Sequence, residues 1–233
     1  ASESICEKKL YEYLQKFGVG QSTGMNFPGE SGGKLPDINN ENEWSDTTFP
    51  TLAFGQGLSV NAVQATSVFA TIANDGVRML PRLIAGYSNT EGIYEPTTVD
   101  EGVRVVSPET AKTVREMLEG VVSEDGTAKN MQIPGYRVGG KTGTANQSAN
   151  GGYSRAKINT FASIFPSSSP KYVFIVMLDT PKTSSSYIYN YRHKEGTQTG
   201  TPYNTAGWTS VEVAGKIIDK IGPILATKYL EIN

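Results

Sequence analysis

Apolar positions recur along this chain at two spacings. Leu10, Leu14 and Phe17 stand three and four apart, as on one helix face, and Gly18 follows as a stop. Ser4-Ile5-Cys6-Glu7 has the form of a capping box opening that helix. Ala62, Ala65, Phe69, Ile72 and Ala73 make a second helical face, capped by Ser59 and ended by Asn74-Asp75-Gly76. Ser107-Pro108-Glu109 opens a third helix, with Ser as cap and Pro at the first helical position. Its stripe of Ala111, Val114, Leu118 and Val121 is expected inside, with Lys112, Arg115, Glu116 and Glu119 facing water. A fourth helix runs from Trp208, carries Val211, Ala214, Ile218 and Ile221 on one face, and is expected to stop at Gly222-Pro223.

Between these lie runs of strand character. Residues 83–87 and 103–106 predict short strands about a turn region at 89–92. Residues 138–145, 158–165 and 172–179 predict longer ones, joined by a hairpin connection at 146–156 and a turn at 166–170. Strands joined by short turns argue for an antiparallel sheet. Residues 18–54, rich in Gly, Pro and Asn, predict a long covering loop pinned by Trp44 and Phe49. Residues 180–207 are polar, rich in Ser, Thr and Tyr, and are expected to be mobile. The fold class is α+β: residues 1–125 mainly helix and loop, residues 126–233 the sheet with a covering C-terminal helix.

Composition narrows the chemistry. With 37% hydrophobic residues, 25 Gly and 12 Pro in 233 residues, the chain is globular and loop-rich. A net charge of −2 gives no nucleic-acid footprint. The longest apolar run, residues 172–178, is far short of the roughly 20 residues of a membrane span. Cys6 is the only cysteine, which excludes an internal disulfide and a thiolate metal cluster. His193, the only histidine, sits in a polar stretch and is expected to be a solvated loop residue, not a catalytic base. No metal site and no cofactor are expected.

The candidate chemistry lies at Tyr136-Arg137-Val138-Gly139-Gly140-Lys141-Thr142-Gly143-Thr144-Ala145. One ammonium and two hydroxyls among three glycines suit a carboxylate or a phosphate. Residues 135–142 satisfy the phosphate-loop pattern G-x-x-x-x-G-K-[ST], and the apolar run ending in Asp179 mimics a magnesium-binding strand. A phosphate loop, however, follows an apolar strand and opens a helix. Residues 130–134 and 144–152 provide neither, which counts against a nucleotide hydrolase. On the carboxylate reading the stretch is a strand at a cleft edge. Lys141 and Gly143 then share one face, and Thr142 and Thr144 the other. The three letters K-T-G recur by chance, and taken alone they favour an ordinary strand leaving through a glycine turn.

The wider chain decides between these. Lys141-Thr142-Gly143-Thr144-Ala145 after Pro134-Gly135-Tyr136-Arg137-Val138 resembles the third motif of penicillin-binding proteins, the serine D,D-transpeptidases of peptidoglycan. Leu10-Tyr11-Glu12-Tyr13-Leu14-Gln15-Lys16-Phe17-Gly18, Pro28-Gly29-Glu30, Ala53-Phe54-Gly55-Gln56-Gly57-Leu58, Ala73-Asn74-Asp75-Gly76 and Gly207-Trp208-Thr209 resemble the monofunctional, division-type (class B) members. The resemblance covers nearly all of residues 8–225. It implies a β-lactamase/transpeptidase-like fold, a five-stranded antiparallel sheet with helices on both faces beside a helical subdomain. It also implies an envelope location on the periplasmic face of the inner membrane. Residues 136–145 would form the edge strand of the site. Lys141 would supply charge for the substrate carboxylate and the proton network, Thr142 and Thr144 hydroxyls would hold that carboxylate, Gly143 would keep the strand clear of the ligand, and the Thr144 N–H would be an oxyanion donor. The implied partners are peptidoglycan stem peptides, β-lactams, and proteins of division or elongation.

One departure matters. The family has an S-x-x-K motif, with Ser as nucleophile and Lys as its base, and an S-x-N motif, both ahead of K-T-G. Ser168-Ser169-Pro170-Lys171 has the S-x-x-K letters but lies behind K-T-G in a turn. Ser59-Val60-Asn61 has the S-x-N letters but falls at a helix start, and Ser148-Ala149-Asn150 falls at a hairpin tip. The expectation is therefore the C-terminal part of a transpeptidase domain, its N-terminal part and catalytic residues absent, inactive alone and with exposed sheet edges that favour self-association. The alternative is a non-catalytic module binding peptide or partner through residues 180–207.

Overall fold

The computed structural model describes residues 2–149, 152–201 and 203–230, with side chains at 5–147, 152–201 and 203–227. It divides into two compact units, Ala1–Ala111 and Lys112–Asn233.

The first unit opens with α1 (Ser2–Lys16), which begins ahead of the expected capping box, so Ser4 lies inside the helix. The long loop follows, and Trp44 packs edge-on against Tyr11 at 6.0 Å. A short helix, α2 (Thr48–Ala53), interrupts the loop near Phe49, buries Leu52 and was not foreseen. α3 (Ala62–Ala73) is capped by Asn61, not Ser59: Asn61 Oδ1 accepts the Gln64 N–H at 2.7 Å, and the Gln64 side chain accepts the Asn61 N–H at 2.8 Å. Ser59 instead makes a backbone bridge with Lys34. The buried Gln64 amide also donates to the carbonyls of Gln21 and Gly32, at 2.5 and 2.7 Å, so one side chain holds two parts of the covering loop against the start of α3.

Two small antiparallel pairs complete the unit. β1 (Val77–Arg78) pairs with β4 (Val103–Arg104), and β2 (Gly86–Ser88) pairs with β3 (Tyr94–Pro96) across the Asn89–Gly92 turn. The predicted strand at 83–87 thus begins later, and its partner is a strand the periodicity did not reveal.

α4 (Pro108–Val122) starts as expected, with Ser107 Oγ accepting the Thr110 N–H at 3.1 Å. Glu119 departs from its solvent-facing assignment. It accepts Arg137 Nη2 at 2.7 Å and Ser167 Oγ at 2.7 Å, tying α4 to the entry of the next strand. That strand is β5 (Gly139–Ala149), followed by β6 (Gly152–Phe165) and β7 (Tyr172–Asp179) in an antiparallel sheet of order β5-β6-β7. The expected connection at 146–156 is largely strand, with a register irregularity between Asn146 and Ser148, and Asn150 at the foreseen tip is outside the described residues. Among the described residues this sheet has three strands, where the resemblance implies five.

Residues 180–207 are not an unstructured loop. β8 (Ile188–Asn190) and β9 (Thr197–Thr199) form a hairpin there, and the buried Tyr189 ring meets Trp208 edge-on at 5.2 Å. α5 (Ser210–Leu230) covers one side of the sheet, with Val211, Ala214 and Ile218 fully buried against Phe161, Met131 and Val176. It continues through Pro223, contrary to the predicted stop. An interior proline costs about 3 kcal/mol, but Leu225 beyond it packs on the core, and the Tyr136 ring occupies the space beside Gly222 that a side chain would need. Packing outweighs the missing backbone bond.

Arg192 and Glu212 form a buried ion pair, their side chains 11% and 6% exposed, at 3.1 Å. Arg192 also donates to the carbonyl of Asn130 at 2.8 Å, and Glu212 accepts the Tyr187 hydroxyl at 3.1 Å. Removing one member of a buried pair strands the other charge. Glu212→Ala is expected to lower the unfolding free energy by about 3–5 kcal/mol in urea denaturation. The double change Arg192→Met/Glu212→Leu should recover most of that loss, and equal losses from both would contradict this account.

The Glu119 carboxyl gives a pH prediction. Partial burial raises its pKa, but the hydrogen bonds from Arg137 and Ser167, with the Arg137 charge, outweigh this and hold it below the ordinary value. A group depressed on folding contributes stability that is present above its unfolded pKa, about 4.3, and is lost as pH falls through the folded value. Glu119→Gln should therefore shrink the stability difference between neutral and acidic solution, measured by urea midpoints. An unchanged difference would remove Glu119 from the acid response.

Candidate carboxylate-binding strand

β5 is the edge of the sheet, and the ladder determines what it shows. The Thr180 N–H donates to the Lys157 carbonyl at 2.8 Å, which makes the odd-numbered residues of β6 the ones bonded to β7. Its even-numbered residues then bond β5, through the pairs Lys141–Ala162 and Gly143–Thr160. The N–H and C=O groups of Thr142 and Thr144 consequently point outward, away from β6.

Side chains divide as the strand alternates. Thr142 and Thr144 lie opposite Phe161 and Asn159, on the face covered by α5, and Lys141 and Gly143 lie on the other. Lys141 is exposed, and its Nζ donates to the Thr142 carbonyl at 2.8 Å. No carboxylate pairs with it among the described ion pairs. An ammonium has three donors, so two remain for a ligand. Thr142 Oγ1 lies 2.9 Å from Thr127 Oγ1, and Thr144 Oγ1 accepts the Ala206 N–H at 3.0 Å. That accepted bond fixes the Thr144 oxygen and leaves its own proton free to donate. At Gly143 an added Cβ would come 2.5 Å from Thr160 Oγ1, so the room a side chain would take there is filled by the neighbouring strand.

The 3-10 turn Ala206–Trp208 that supplies the Thr144 partner is itself anchored. Asn159, fully buried, donates to Asn204 Oδ1 at 2.9 Å and Thr209 Oγ1 at 2.8 Å. Lys157 Nζ donates to the Asn204 carbonyl at 3.1 Å. Sequence reasoning missed Thr127, Asn159, Asn204 and Ala206, because no motif marks a partner met across 15 to 62 positions.

The other candidates fall elsewhere. Gly139–Ala149 is one continuous strand, so no helix opens at Thr142 and a phosphate loop is not formed. Ser168 and Lys171 lie in the non-helical turn between β6 and β7, while the adjacent Ser167 is buried on Glu119. Asn61 is committed as a helix cap and donates to the Ser31 carbonyl at 2.7 Å. Asp179 accepts the Gln147 side chain at the far end of the hairpin. His193 is half-buried, not fully solvated: its ring meets Tyr191 edge-on at 5.9 Å, and it borders an open cleft of about 490 Å³ with Glu119, Tyr136 and Arg137. Among the described residues no group of His, Cys, Asp and Glu is disposed to hold a metal.

Comparison with known proteins places this strand in context. Residues 1–198 match the family described as the penicillin binding protein transpeptidase domain. Penicillin-binding protein PbpB of Mycobacterium tuberculosis is 41% identical over 193 residues, covering 79% of this chain and 28% of that protein. PbpB of Mycolicibacterium smegmatis is 39% identical over 193 residues, with 79% and 29% covered. Stage V sporulation protein D of Bacillus subtilis is 34% identical over 183 residues, with 77% and 28% covered. This chain thus spans under a third of the length of these relatives. The structure is similar to penicillin-binding protein 3 of Mycobacterium tuberculosis, with a TM-score of 0.73, 37% identity and coverage of 91% of this chain and 46% of that one. The transpeptidase domain of Burkholderia pseudomallei penicillin-binding protein 3 gives a TM-score of 0.72 at 30% identity, with 94% and 58% covered. Fold and sequence agree, and the chain belongs to the penicillin-binding protein transpeptidase domain family, with class B proteins as its relatives.

Proposed function

We propose that this chain supplies the carboxylate-gripping strand of a serine D,D-transpeptidase that cross-links peptidoglycan stem peptides ending in D-Ala-D-Ala. The observation that carries the proposal is the free edge of β5: outward backbone groups at Thr142 and Thr144 beside an ammonium with no carboxylate partner among the described ion pairs. An extended peptide can add to such an edge through main-chain hydrogen bonds. Its terminal carboxylate then meets the Lys141 charge and the hydroxyls of Thr142 and Thr144. Charge-assisted bonds of this kind are roughly twice as strong as neutral ones. The outward Thr144 N–H is the donor for the oxyanion that develops when the penultimate carbonyl is attacked.

The attacking serine is assigned to polypeptide beyond these residues. Within them the S-x-x-K letters occur at 31–34 in the covering loop, at 154–157 on β6 and at 168–171 in a turn, and in none of these is the lysine carried over the serine by a helix. One relative, penicillin-binding protein 3 of Mycobacterium tuberculosis, is described in complexes with ampicillin and with aztreonam, and the Lys141 ammonium and the threonine hydroxyls would take the anionic group of such a β-lactam. We place the parent protein at the periplasmic face of the inner membrane, among division or elongation proteins. Among the described residues no helix is long and apolar enough to cross a membrane.

Two measurements test this. Titration with a diacetyl-Lys-D-Ala-D-Ala peptide, followed by chemical-shift changes at Thr142 and Thr144, should saturate, and Lys141→Ala should weaken binding about tenfold or more, in line with a lost charged hydrogen bond of 1.5–3 kcal/mol. Undiminished binding would put the peptide elsewhere, as on the β8–β9 hairpin. In the second, this chain alone should take up no fluorescent penicillin; stoichiometric covalent labelling would show that a nucleophile is present after all.

A further inference from the structure

We infer that the β2–β3 hairpin and the cleft beside it form a docking surface for an extended protein segment whose apolar residues are interleaved with basic ones. The inference is independent of the peptide-binding role of β5.

Exposed large apolar side chains concentrate here. Leu80, Leu83 and Ile84 line the cleft and face solvent, Leu83 at 67% and Ile84 at 50%, while Tyr87 and Tyr94 are exposed on opposite faces of the hairpin. Isolated apolar residues on a surface are ordinary, but a contiguous set marks an interaction site. The hairpin has only two strands, and both are almost wholly exposed along their length. A pair of strands without a covered face is marginal in water. What holds this one is the Asn89–Gly92 turn and Arg82, which donates to the carbonyl and hydroxyl of Thr97 at 3.2 and 3.1 Å. Beside it opens a cleft of about 350 Å³, walled by residues 79–84, 97–100 and 24–27.

Backbone geometry says which edge can receive a strand. The Thr97 N–H donates to the Ala85 carbonyl and the Asn89 N–H to the Ile93 carbonyl, at 2.9 and 3.0 Å. Tyr87–Glu95 is therefore a hydrogen-bonded pair, and the N–H and C=O of Gly86 and Ser88 point outward. On β3 the outward positions are Tyr94 and Pro96, and Pro96 has no N–H. β2 is the equipped edge and β3 the blocked one.

Charge selects the occupant. Glu91, Glu95, Asp100 and Glu101 are all exposed around the surface, and its one arginine, Arg82, is held against Thr97. A second copy would bring carboxylates against carboxylates, and an anionic lipid surface would be repelled in the same way. A segment with Lys or Arg between apolar residues satisfies both the apolar floor and the acidic rim.

The test uses the full chain and a short labelled peptide of alternating Leu and Lys, read by fluorescence anisotropy. Binding should weaken with salt, fall about tenfold or more in Leu83→Asp/Ile84→Asp, and stay at the wild-type level in Ile224→Asp, a change at an exposed apolar side chain elsewhere. The triple change Glu95→Lys/Asp100→Lys/Glu101→Lys leaves the apolar side chains in place and should switch preference to an alternating Leu/Glu peptide, which the wild type should ignore. Methylating alternate peptide nitrogens should weaken binding if the segment adds as a strand. Equal binding by all variants, or equal binding of the Leu/Glu peptide by wild type, overturns the inference. So does a wild-type dimer in sedimentation that dissociates in Leu83→Asp/Ile84→Asp, because the surface would then serve a second copy.

Discussion

Burial of Phe161 and Asn159 on one face of β6 imposes the phase of the β5–β6–β7 ladder, which the hydrogen bond from Thr180 N–H to the Lys157 carbonyl reveals. Side chains and backbone groups both alternate with period two, so a single slip in register would send Lys141 under α5 and turn the Thr142 and Thr144 backbone inward. Several features forbid the slip. Phe161 must lie in the core beneath α5, and Asn159 must reach Asn204 and Thr209. Thr160 needs the space that only a glycine at 143 leaves open. The candidate site is thus a consequence of packing on the far side of the strand that displays it. Burial of β6 determines what β5 shows.

The α5 side carries more buried polarity than a plain covering helix requires. Arg192 and Glu212 are held there with Tyr187, and the Tyr189 hydroxyl donates to the Trp208 carbonyl. Burial pushes the Tyr189 hydroxyl pKa up, with the Glu212 charge and then Tyr187 adding to the effect, so it remains a donor. A desolvated pair of this kind adds little net stability compared with apolar packing, but it penalises any arrangement that separates its members. Here it joins the β8–β9 hairpin to α5. Asn204 and the Ala206–Trp208 turn follow that hairpin, and Ala206 orients Thr144. The polar network therefore restricts where the partner of a site threonine can be.

How much of this was legible in the sequence depends on the range of the interactions. The α4 stripe of Ala111, Val114, Leu118 and Val121 was readable because it is local: Ala111 and Leu118 are buried and Val114 and Val121 half-buried, although Val122, outside the stripe, is buried as well. The strands Ile158–Phe165 and Tyr172–Asp179 were readable as apolar runs, and Lys141, Thr142, Gly143 and Thr144 were readable as a motif and fell on an edge strand. The end of α5 was misjudged because Gly222-Pro223 is a strong local stop, whereas Tyr136 and Leu225 act from outside the local window. Residues 180–207 were taken for loop on composition, although Tyr187, Tyr189 and Tyr191 stand at alternating positions, a strand signal that polar neighbours obscured. Ser59 and Asn61 are both good helix caps by type, and only the Gln64 side chain distinguishes them. In each miss a distant partner overruled a local preference.

Two edges in this chain use the same backbone chemistry with opposite electrostatics. An unpaired strand edge will accept almost any extended chain, and that indifference is a hazard unless flanking charge restricts it. At β5 the exposed ammonium of Lys141 stands over outward amides, favouring a segment that ends in an anion. At β2 the outward groups of Gly86 and Ser88 belong to a hairpin with exposed Glu91 in its turn and Glu95 on its paired strand, which favours a basic segment. Each sign repels what the other attracts, so charge supplies a discrimination that hydrogen bonds alone do not provide. The pairing also disfavours copies of β2 from joining each other, since identical acidic rims would meet. Backbone geometry makes both edges adhesive, and a few side chains decide to what.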